Sequence, residues 1–210
     1  MRIFNEWLLL PQRFAIHEPT ATAVLADVHL GYSAARQRQG DAIPGRSVHE
    51  EMAALIQAAR IHEVRALVVA GDLFERGFDG KLLQSFLELL DGLHIRFVGL
   101  VPGNHDRGLP NAPNDMSVFS DGYELSDWRI VHGDQSVDAA KTIMGHWHPA
   151  IRCKGRKTPC FLRRGTHLIL PAFSTDAAGA DVDVEARWHE WERFAISGER
   201  VAAIKRKALR

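Results

Sequence analysis

The sequence predicts an α/β fold. In the first half of the 210 residues, apolar runs typical of buried strands alternate with amphipathic helix patterns, which indicates a largely parallel sheet with crossover helices. The second half contains mainly strand patterns in succession, at residues 128–134, 142–148, 167–173, 187–196 and 200–204. No linker rich in serine or glycine interrupts the chain, so we expect one domain that spans residues 1–210.

The elements of the first half begin and end at recognisable residues. Ser47 and Glu50 form an S-x-x-E capping box at the start of a helix predicted for residues 47–60. Asp79 is a suitable N-cap for a second helix, at residues 79–93. The strand patterns lie at residues 21–27, at 64–72 and in the first part of 95–106, and an early hairpin is expected around Pro11.

The composition is that of a soluble globular protein. Hydrophobic residues make up 46% of the chain and charged residues 25%, and no apolar run reaches the ~20 residues needed to span a bilayer. The N-terminus lacks the cleavage site of a signal peptide, so we expect a cytoplasmic protein without a membrane partner. Cys153 and Cys160 are too few for a disulfide framework; reduced thiols are expected, with pairing across a hairpin as the alternative.

The formal net charge is zero, which argues against binding to nucleic acid through overall charge alone. The charge is uneven, however, because residues 152–164 contain six lysines or arginines and no acid. This stretch closely follows Trp147, whose ring could offer a stacking face to a nucleobase. The alternatives are a solvated hairpin for residues 152–164 and packing against the wall of the site for Trp147.

Polar side chains follow five successive strand patterns, at the point where each pattern ends. In an open α/β sheet, ligands bind beyond the carboxyl ends of the strands. We therefore expect these side chains to converge, although they lie far apart in the sequence. The set comprises Asp27, His29, Asp72, Asn104, His105, Asp106, His132, His146 and His148.

The residue types in this set indicate a metal centre. Carboxylate oxygen, amide oxygen and imidazole nitrogen atoms are ligands for Mn²⁺, Fe or Zn²⁺, and no cysteine is among them. Asp27 and His29, two positions apart, are expected on one face of a strand end, as are His146 and His148. The ligands are too many for one tetrahedral ion, whereas two ions bridged by a carboxylate would use them well and would suit in-line attack on phosphorus.

The order of these motifs resembles that of the calcineurin-like binuclear metallophosphoesterases. The family's motifs D-x-H, G-D, G-N-H-D, H and G-H-x-H correspond here to Asp27-Val28-His29, Gly71-Asp72, Gly103-Asn104-His105-Asp106, His132 and Gly145-His146-Trp147-His148. The resemblance implies a four-layer α/β/β/α sandwich, in which two mixed sheets pack face to face and are flanked by helices.

The resemblance also implies two divalent metal ions, with Mn²⁺ favoured over Fe or Zn²⁺. The ligands of the first ion would be Asp27, His29, Asp72 and His148. The ligands of the second would be Asp72, as the bridge, with Asn104, His132 and His146. A hydroxide that bridges the metals would be the nucleophile of an in-line attack.

Three neighbouring residues complete the site that the resemblance implies. His105 would act as general acid or would stabilise a phosphate oxygen, and Asp106 would orient it by accepting a hydrogen bond from its ring. Arg107 is next in the chain and is a candidate contact for phosphate.

Further segments resemble bacterial metallophosphoesterases that are associated with DNA ligase and helicase genes, and their archaeal relatives. The matching pieces are LADVHLGYSAARQRQGDAIP, GHWHPAIR, PCF and LPAF. This resemblance implies a Mn²⁺-dependent phosphodiesterase or endonuclease that acts on single-stranded DNA in repair, in association with a ligase and a helicase. The chain departs from that group at His132-Gly133-Asp134, where His-Glu-Pro is usual.

Two other functions compete with a nuclease. A small-molecule phosphodiesterase or phosphomonoesterase is favoured by the net charge of zero. A non-catalytic protein-binding scaffold of the same fold is less favoured, because scaffold members typically lack one or more of the metal-binding histidines, and the sequence retains all of them.

Overall fold

Two mixed β-sheets, of six and nine strands within the described residues, form the framework of the protein. They are seen in a computed structural model that describes residues 1–109, 116–135, 138–153, 155–177 and 179–204. The α/β class and the two mixed sheets predicted above are confirmed.

The first sheet has the strand order β1 to β6. Its strands are β1 Arg2–Ile3, β2 Trp7–Leu9, β3 Ala15–His17, β4 Thr22–Leu25, β5 Ala66–Ala70 and β6 Arg96–Val101. Strands β1 to β4 are antiparallel neighbours, and β2 and β3 form the hairpin expected around Pro11. Strands β4, β5 and β6 run parallel, as the alternation of strand and helix predicts, so their carboxyl ends meet at one edge.

The helices connect the parallel strands. They are α1 Tyr32–Arg38, α2 Val48–Glu51, α3 Ala53–Ala59 and α4 Gly80–Gly92. The capping box of Ser47 and Glu50 is present, and the Asp79 carboxylate accepts two backbone hydrogen bonds from the first turn of α4. The helix predicted for residues 47–60 is interrupted at the buried Met52, where ψ is 8°. None of the helices within the described residues combines the length and the hydrophobicity of a membrane span.

The second sheet is built from the second half of the chain. Its strands are β7 Tyr123–Leu125, β8 Trp128–Val131, β9 Thr142–Met144, β10 Pro149–Cys153, β11 Arg156–Arg164, β12 His167–Ile169, β13 Ala180–Asp181, β14 Glu192–Ser197 and β15 Arg200–Ile204. Strand β9 lies parallel to β8 and β12. The strand predicted for residues 187–196 is wrong in its first half: Ala186–Trp188 form a short 3-10 helix that buries Trp188, and the strand begins at Glu192.

Side chains of the parallel strands alternate between two cores. Val24 and Val68 pack between the sheets with Trp128. Leu25 and Val69 point to the other side, into the core beneath the helices. This period-2 alternation in a wholly apolar strand is what burial on both faces requires.

The outer face of the second sheet is covered differently from that of the first sheet, which packs against the α-helices. Cys160 and Leu162 lie in a third cluster with Trp188, whereas Phe161 between them faces the first sheet. Among the described residues, every α-helix precedes residue 93, so a 3-10 helix rather than an α-helix contributes to this outer layer.

The two cysteines lie in the hairpin of β10 and β11 but not opposite each other. Cys153 is paired with Arg156, and Cys160 lies four residues further along β11. Four residues span about 13 Å of strand, beyond the roughly 7 Å between Cα atoms that a disulfide tolerates. The hairpin register therefore keeps the cysteines apart, and Cys160 is a buried free thiol.

Candidate metal centre

The polar residues that follow the strands lie together at the carboxyl ends of β4, β5, β6, β8 and β9. Backbone hydrogen bonds join the first two of these loops: Asp27 N donates to Gly71 O at 3.1 Å, and His29 N donates to Asp72 O at 2.9 Å. The edge where the parallel strands end therefore gathers side chains from distant segments, as expected for an α/β sheet.

The backbone that carries these residues is not strand. Strand β4 ends at Leu25, and Asp27 and His29 have φ values of 54° and 53°. His146 and His148 are also left-handed, with φ values of 67° and 42°. The prediction that strand alternation places both side chains of each pair on one face is therefore wrong. Left-handed backbone conformations orient these side chains instead. Such conformations cost of order 1–3 kcal/mol for each non-glycine residue and cluster at functional sites.

Asp27, His29 and His148 form the first ligand group. Their ligand atoms lie within 4.8 Å of one another, and His148 Nε2 is 3.5 Å from Asp27 Oδ2. The Nε2 atoms of His29 and His148 are buried without a hydrogen-bond partner among the described residues. Burying a polar nitrogen without a partner is costly, so these atoms fit a site that binds a cation between them.

Asp72, Asn104, His132 and His146 form the second ligand group. The Nε2 atom of His132 lies 3.1 Å from Asn104 Oδ1 and 3.1 Å from His146 Nδ1. It also lies 3.6 Å from Asp72 Oδ2. Asp27, Asp72 and His132 again have ligand atoms within 4.8 Å of one another, so the two groups are contiguous and Asp27 connects them. This set of oxygen and nitrogen donors suits Mn²⁺, Fe or Zn²⁺.

Backbone hydrogen bonds fix both carboxylates in place. Asp27 accepts from His146 N through both oxygens, at 2.9 and 3.1 Å. Asp72 accepts from His105 N through Oδ1, at 2.8 Å. Because a carboxylate has about four acceptor positions, each group retains lone pairs for a cation.

The electrostatic surroundings differ among the histidines. Burial lowers the pKa of His29, and burial together with the charge of His132 lowers the pKa of His146. For His148, burial acts to lower the pKa, but the negative charge of Asp27, whose Oδ2 lies 3.5 Å from Nε2, outweighs it and raises the pKa. Metals bind neutral imidazole, so the lowered pKa values of His29 and His146 favour the form that acts as a ligand. His148, whose pKa is raised, would more often have to release a proton when a metal binds.

The structure corrects the contact predicted for Asp106. Its carboxylate accepts from Phe74 N at 3.0 Å and from Gly103 N at 2.9 Å, and burial raises its pKa to about 6. The His105 ring instead places Nδ1 2.9 Å from the carbonyl oxygen of Glu75. Asp106 therefore ties together the loops that follow β5 and β6, and a backbone carbonyl orients His105.

Glu75 is a functional residue that the sequence reasoning missed. Its Oε2 atom lies 2.9 Å from His29 Nδ1, and its carbonyl oxygen lies beside His105. A carboxylate that holds the second nitrogen of a ligand histidine fixes its tautomer and raises its basicity. The signal was an acid three positions after Asp72, separated from it by two apolar residues.

Two glycines leave the space that the ligands occupy. Gly71 has a φ of 87°, and a Cβ atom there would lie 1.8 Å from His132 Nδ1. A Cβ atom at Gly103 would lie 2.2 Å from Asp72 Oδ1. These positions therefore allow a close approach of backbone to ligand, in addition to the tight turn at Gly71.

An open cavity of about 450 Å³ adjoins the second ligand group. It is lined by Glu75, Arg76, Asn104, His105 and Arg107. Arg76 and Arg107 are exposed, and neither forms an ion pair with another described residue. Arg107 lines this cavity beside His105, and Arg76 is a second arginine there that the sequence analysis did not single out.

Trp147 is enclosed on the outer side of the site. The guanidinium carbon of Arg187 lies 4.3 Å from the centre of its ring, and the Trp188 ring lies 5.5 Å away. The His146 ring contacts it edge-on, at 5.0 Å between centroids. These contacts correspond to packing against the wall of the site, with Arg187 stacked on the indole.

Three of the six lysines and arginines in the basic stretch 152–164 are paired with acids among the described residues. Its ion pairs are Arg152 with Asp181, Arg163 with Glu192 and Arg164 with Glu190. Lys154 lies outside the described residues. The stretch forms the hairpin of β10 and β11 and offers less free positive charge than its composition suggests.

The comparisons with known proteins agree with this geometry. The family model of the calcineurin-like phosphoesterases matches residues 21–195. Nuclease MPE of Pseudomonas putida has a similar fold, with a TM-score of 0.71 over 97% of this chain and 98% of that chain, at 19% sequence identity. No curated protein sequence matches the chain significantly. The family model covers most of the chain, and the protein therefore belongs to the calcineurin-like phosphoesterases, the metal-dependent hydrolases of phosphoester bonds.

Proposed function

We propose that the protein is a Mn²⁺-dependent endonuclease that cleaves single-stranded DNA and acts in DNA repair. One observation carries the proposal: two contiguous groups of oxygen and nitrogen ligands meet at Asp27, Asp72 and His132, beside the ring of His105. The similar fold of a protein described as a nuclease supports a nucleic-acid substrate. A cytoplasmic location and an association with a ligase and a helicase remain predictions from the sequence.

The ligand groups define how the ions are held. Asp27, His29 and His148 would hold the first ion, and the family resemblance adds Asp72 as a ligand shared with the second. Asn104, His132 and His146 would hold the second, again with Asp72. When bound, two divalent ions supply Lewis acidity and lower the pKa of water, which is the chemistry that phosphodiester hydrolysis requires.

His105 is the residue placed to handle a proton. Its Nδ1 atom donates to the carbonyl oxygen of Glu75, which leaves Nε2 as the second site of the ring. In the protonated ring, Nε2–H can donate a proton to the leaving oxygen, which is the role of a general acid. Arg76 and Arg107 flank this ring in the same cavity and suit the negative charge of a phosphodiester.

A small-molecule phosphodiesterase or phosphomonoesterase is the second candidate. The ion pairs of Arg152, Arg163 and Arg164 favour it, because they leave the hairpin beside the site less able to attract a polyanion. A non-catalytic scaffold is disfavoured by the complete set of ligands, with His29 and His148 both offering unpartnered nitrogens.

The decisive experiment incubates the purified protein and Mn²⁺ with single-stranded circular DNA or with nucleotides and measures cleavage of each. We expect nicking of the DNA, and we expect His146→Ala or Asp72→Ala to abolish it. His49→Ala, an exposed helical histidine away from the ligand groups, is the matched control and should retain activity. Turnover of nucleotides without cleavage of any DNA would favour the second candidate.

A further inference from the structure

A second cavity, of about 120 Å³, opens beside the first ligand group. His148 forms part of its wall, together with Arg13, Lys157, Thr175 and Gly179. A water molecule takes about 30 Å³ in the liquid, so this volume suits a small anion such as a phosphoryl group better than a nucleoside. Because His148 belongs to both, the cavity and the ligand group are neighbours.

Arg13 is held at this cavity by an unusual backbone. Its φ is 70°, in the tight turn where Arg13 N donates to Leu10 O at 3.1 Å. Glycine or asparagine adopts this conformation at lower cost, so an arginine there indicates a use for the side chain. Nη1 donates to Ser174 O at 2.8 Å, and Ser174 N donates to Asp27 O at 3.1 Å. Two hydrogen bonds therefore connect Arg13 to a residue of the first ligand group.

The lining of this cavity includes two basic residues, Arg13 and Lys157, and no acidic one. Arg13 forms no ion pair with another described residue, and Lys157 Nζ donates to the carbonyl oxygen of Gly179 at 2.8 Å. A guanidinium and an ammonium group with no carboxylate in the lining form a typical site for phosphate.

We infer that this cavity binds a second phosphate of the substrate, next to the one that is hydrolysed, through Arg13 and Lys157. The inference rests on the proposed function and deepens it. Such a site selects chains of linked nucleotides over esters with one phosphate, because only a substrate with two phosphates reaches both the ligand groups and the cavity. Arg13 would add a substrate contact from outside the hairpin 152–164, to which Lys157 belongs.

The first test measures DNA binding in the absence of metal. Anisotropy of a fluorescein-labelled oligothymidylate in EDTA gives the dependence of affinity on salt. Replacing a cation that contacts phosphate lowers the slope of log K against log salt by about 0.7 for single strands. We expect this decrease for Arg13→Gln and for Lys157→Gln, and no decrease for Arg96→Gln, at the far end of β6. Unchanged slopes in both cavity variants would overturn the inference; Lys157→Gln decides if Arg13→Gln does not fold.

The second test separates this inference from the proposed function. Thymidine p-nitrophenyl phosphodiesters are compared with and without a second phosphate on the free hydroxyl, using the Mn²⁺-loaded protein. We expect a preference for the doubly phosphorylated ester, measured as kcat/KM, that falls about tenfold in Arg13→Gln or Lys157→Gln. Arg96→Gln should keep the preference. An equal preference for the doubly phosphorylated ester in all variants would contradict the inference. If the unchanged protein shows the preference but cleaves no DNA, phosphate binding at the cavity is supported and the proposed nuclease activity is contradicted.

Discussion

The Nδ1 atom of His29 lies 2.9 Å from the carboxylate of Glu75. This contact leaves Nε2 of the ring as the atom available to a cation, and Nε2 is buried without a partner among the described residues. The side chain of Glu75 is 20% exposed, so water screens the pair only in part. A residue outside the motifs therefore sets which nitrogen of a motif residue acts as a ligand.

Changing Glu75 tests this relationship. We expect Glu75→Gln to weaken binding of Mn²⁺ by about 10- to 100-fold, because the amide accepts a hydrogen bond but lacks the charge that raises the basicity of His29. Titration followed by electron paramagnetic resonance measures the free ion. Glu88→Gln, on the exposed face of α4, removes the same charge and should leave the affinity as it is. Equal affinities of the Glu75→Gln variant and the unchanged protein would refute the role of Glu75.

The space at Gly71 is tested with a matched glycine. Gly165 also has a positive φ, of 55°, but a Cβ atom there has no neighbour within 4 Å. We expect Gly165→Ala to cost about 1–2 kcal/mol of unfolding free energy through backbone strain alone. Gly71→Ala should cost a further 1–3 kcal/mol or so, because the methyl group overlaps His132.

Denaturant unfolding measures both costs, and hydrolysis of bis-p-nitrophenyl phosphate measures the effect on the site. Activity should be lost in Gly71→Ala and retained in Gly165→Ala. Full activity of Gly71→Ala would contradict this account, because the methyl group would displace His132 from its observed position without any effect on catalysis.

Burial makes Cys160 a poor nucleophile. It raises the pKa of the thiol to about 12, so the thiolate is scarce at pH 8 and reaction with a thiol reagent requires unfolding. We expect the Cys153→Ser variant to react with 5,5′-dithiobis(2-nitrobenzoate) only in denaturant. Rapid reaction of the native variant at pH 8 would show that the outer layer of the second sheet does not cover Cys160.

Much of the framework follows from local sequence signals. The capping box of Ser47 and Glu50 and the N-cap Asp79 predict where two helical segments begin, because the side chains bond to their own turn. The convergence of Asp27 and Asp72 follows from the parallel order of β4 and β5. The helix starts are determined by residues close in sequence, and the convergence follows from the rule that parallel strands have their carboxyl ends at one edge of the sheet.

Other features depend on contacts between distant segments, which the sequence does not display. Helix α1 lacks an apolar stripe, and small residues such as Ser33 and Ala35 form its buried face. The basic hairpin is paired with acids from β13 and β14 that lie up to 29 positions away. The left-handed turns at Asp27 and His148 are held by the fold, whereas local propensity opposes them.

The most direct test of the account counts the metal ions and links them to catalysis. Metal-free protein is titrated with Mn²⁺ while bound metal and hydrolysis of bis-p-nitrophenyl phosphate are measured together. We predict two ions per chain in the unchanged protein and turnover that rises as both sites fill. We predict loss of at least one ion and of turnover in His132→Ala, whose Nε2 atom lies at the centre of the second ligand group. A chain that binds no Mn²⁺, or that hydrolyses the diester equally well in EDTA, would contradict a two-metal centre.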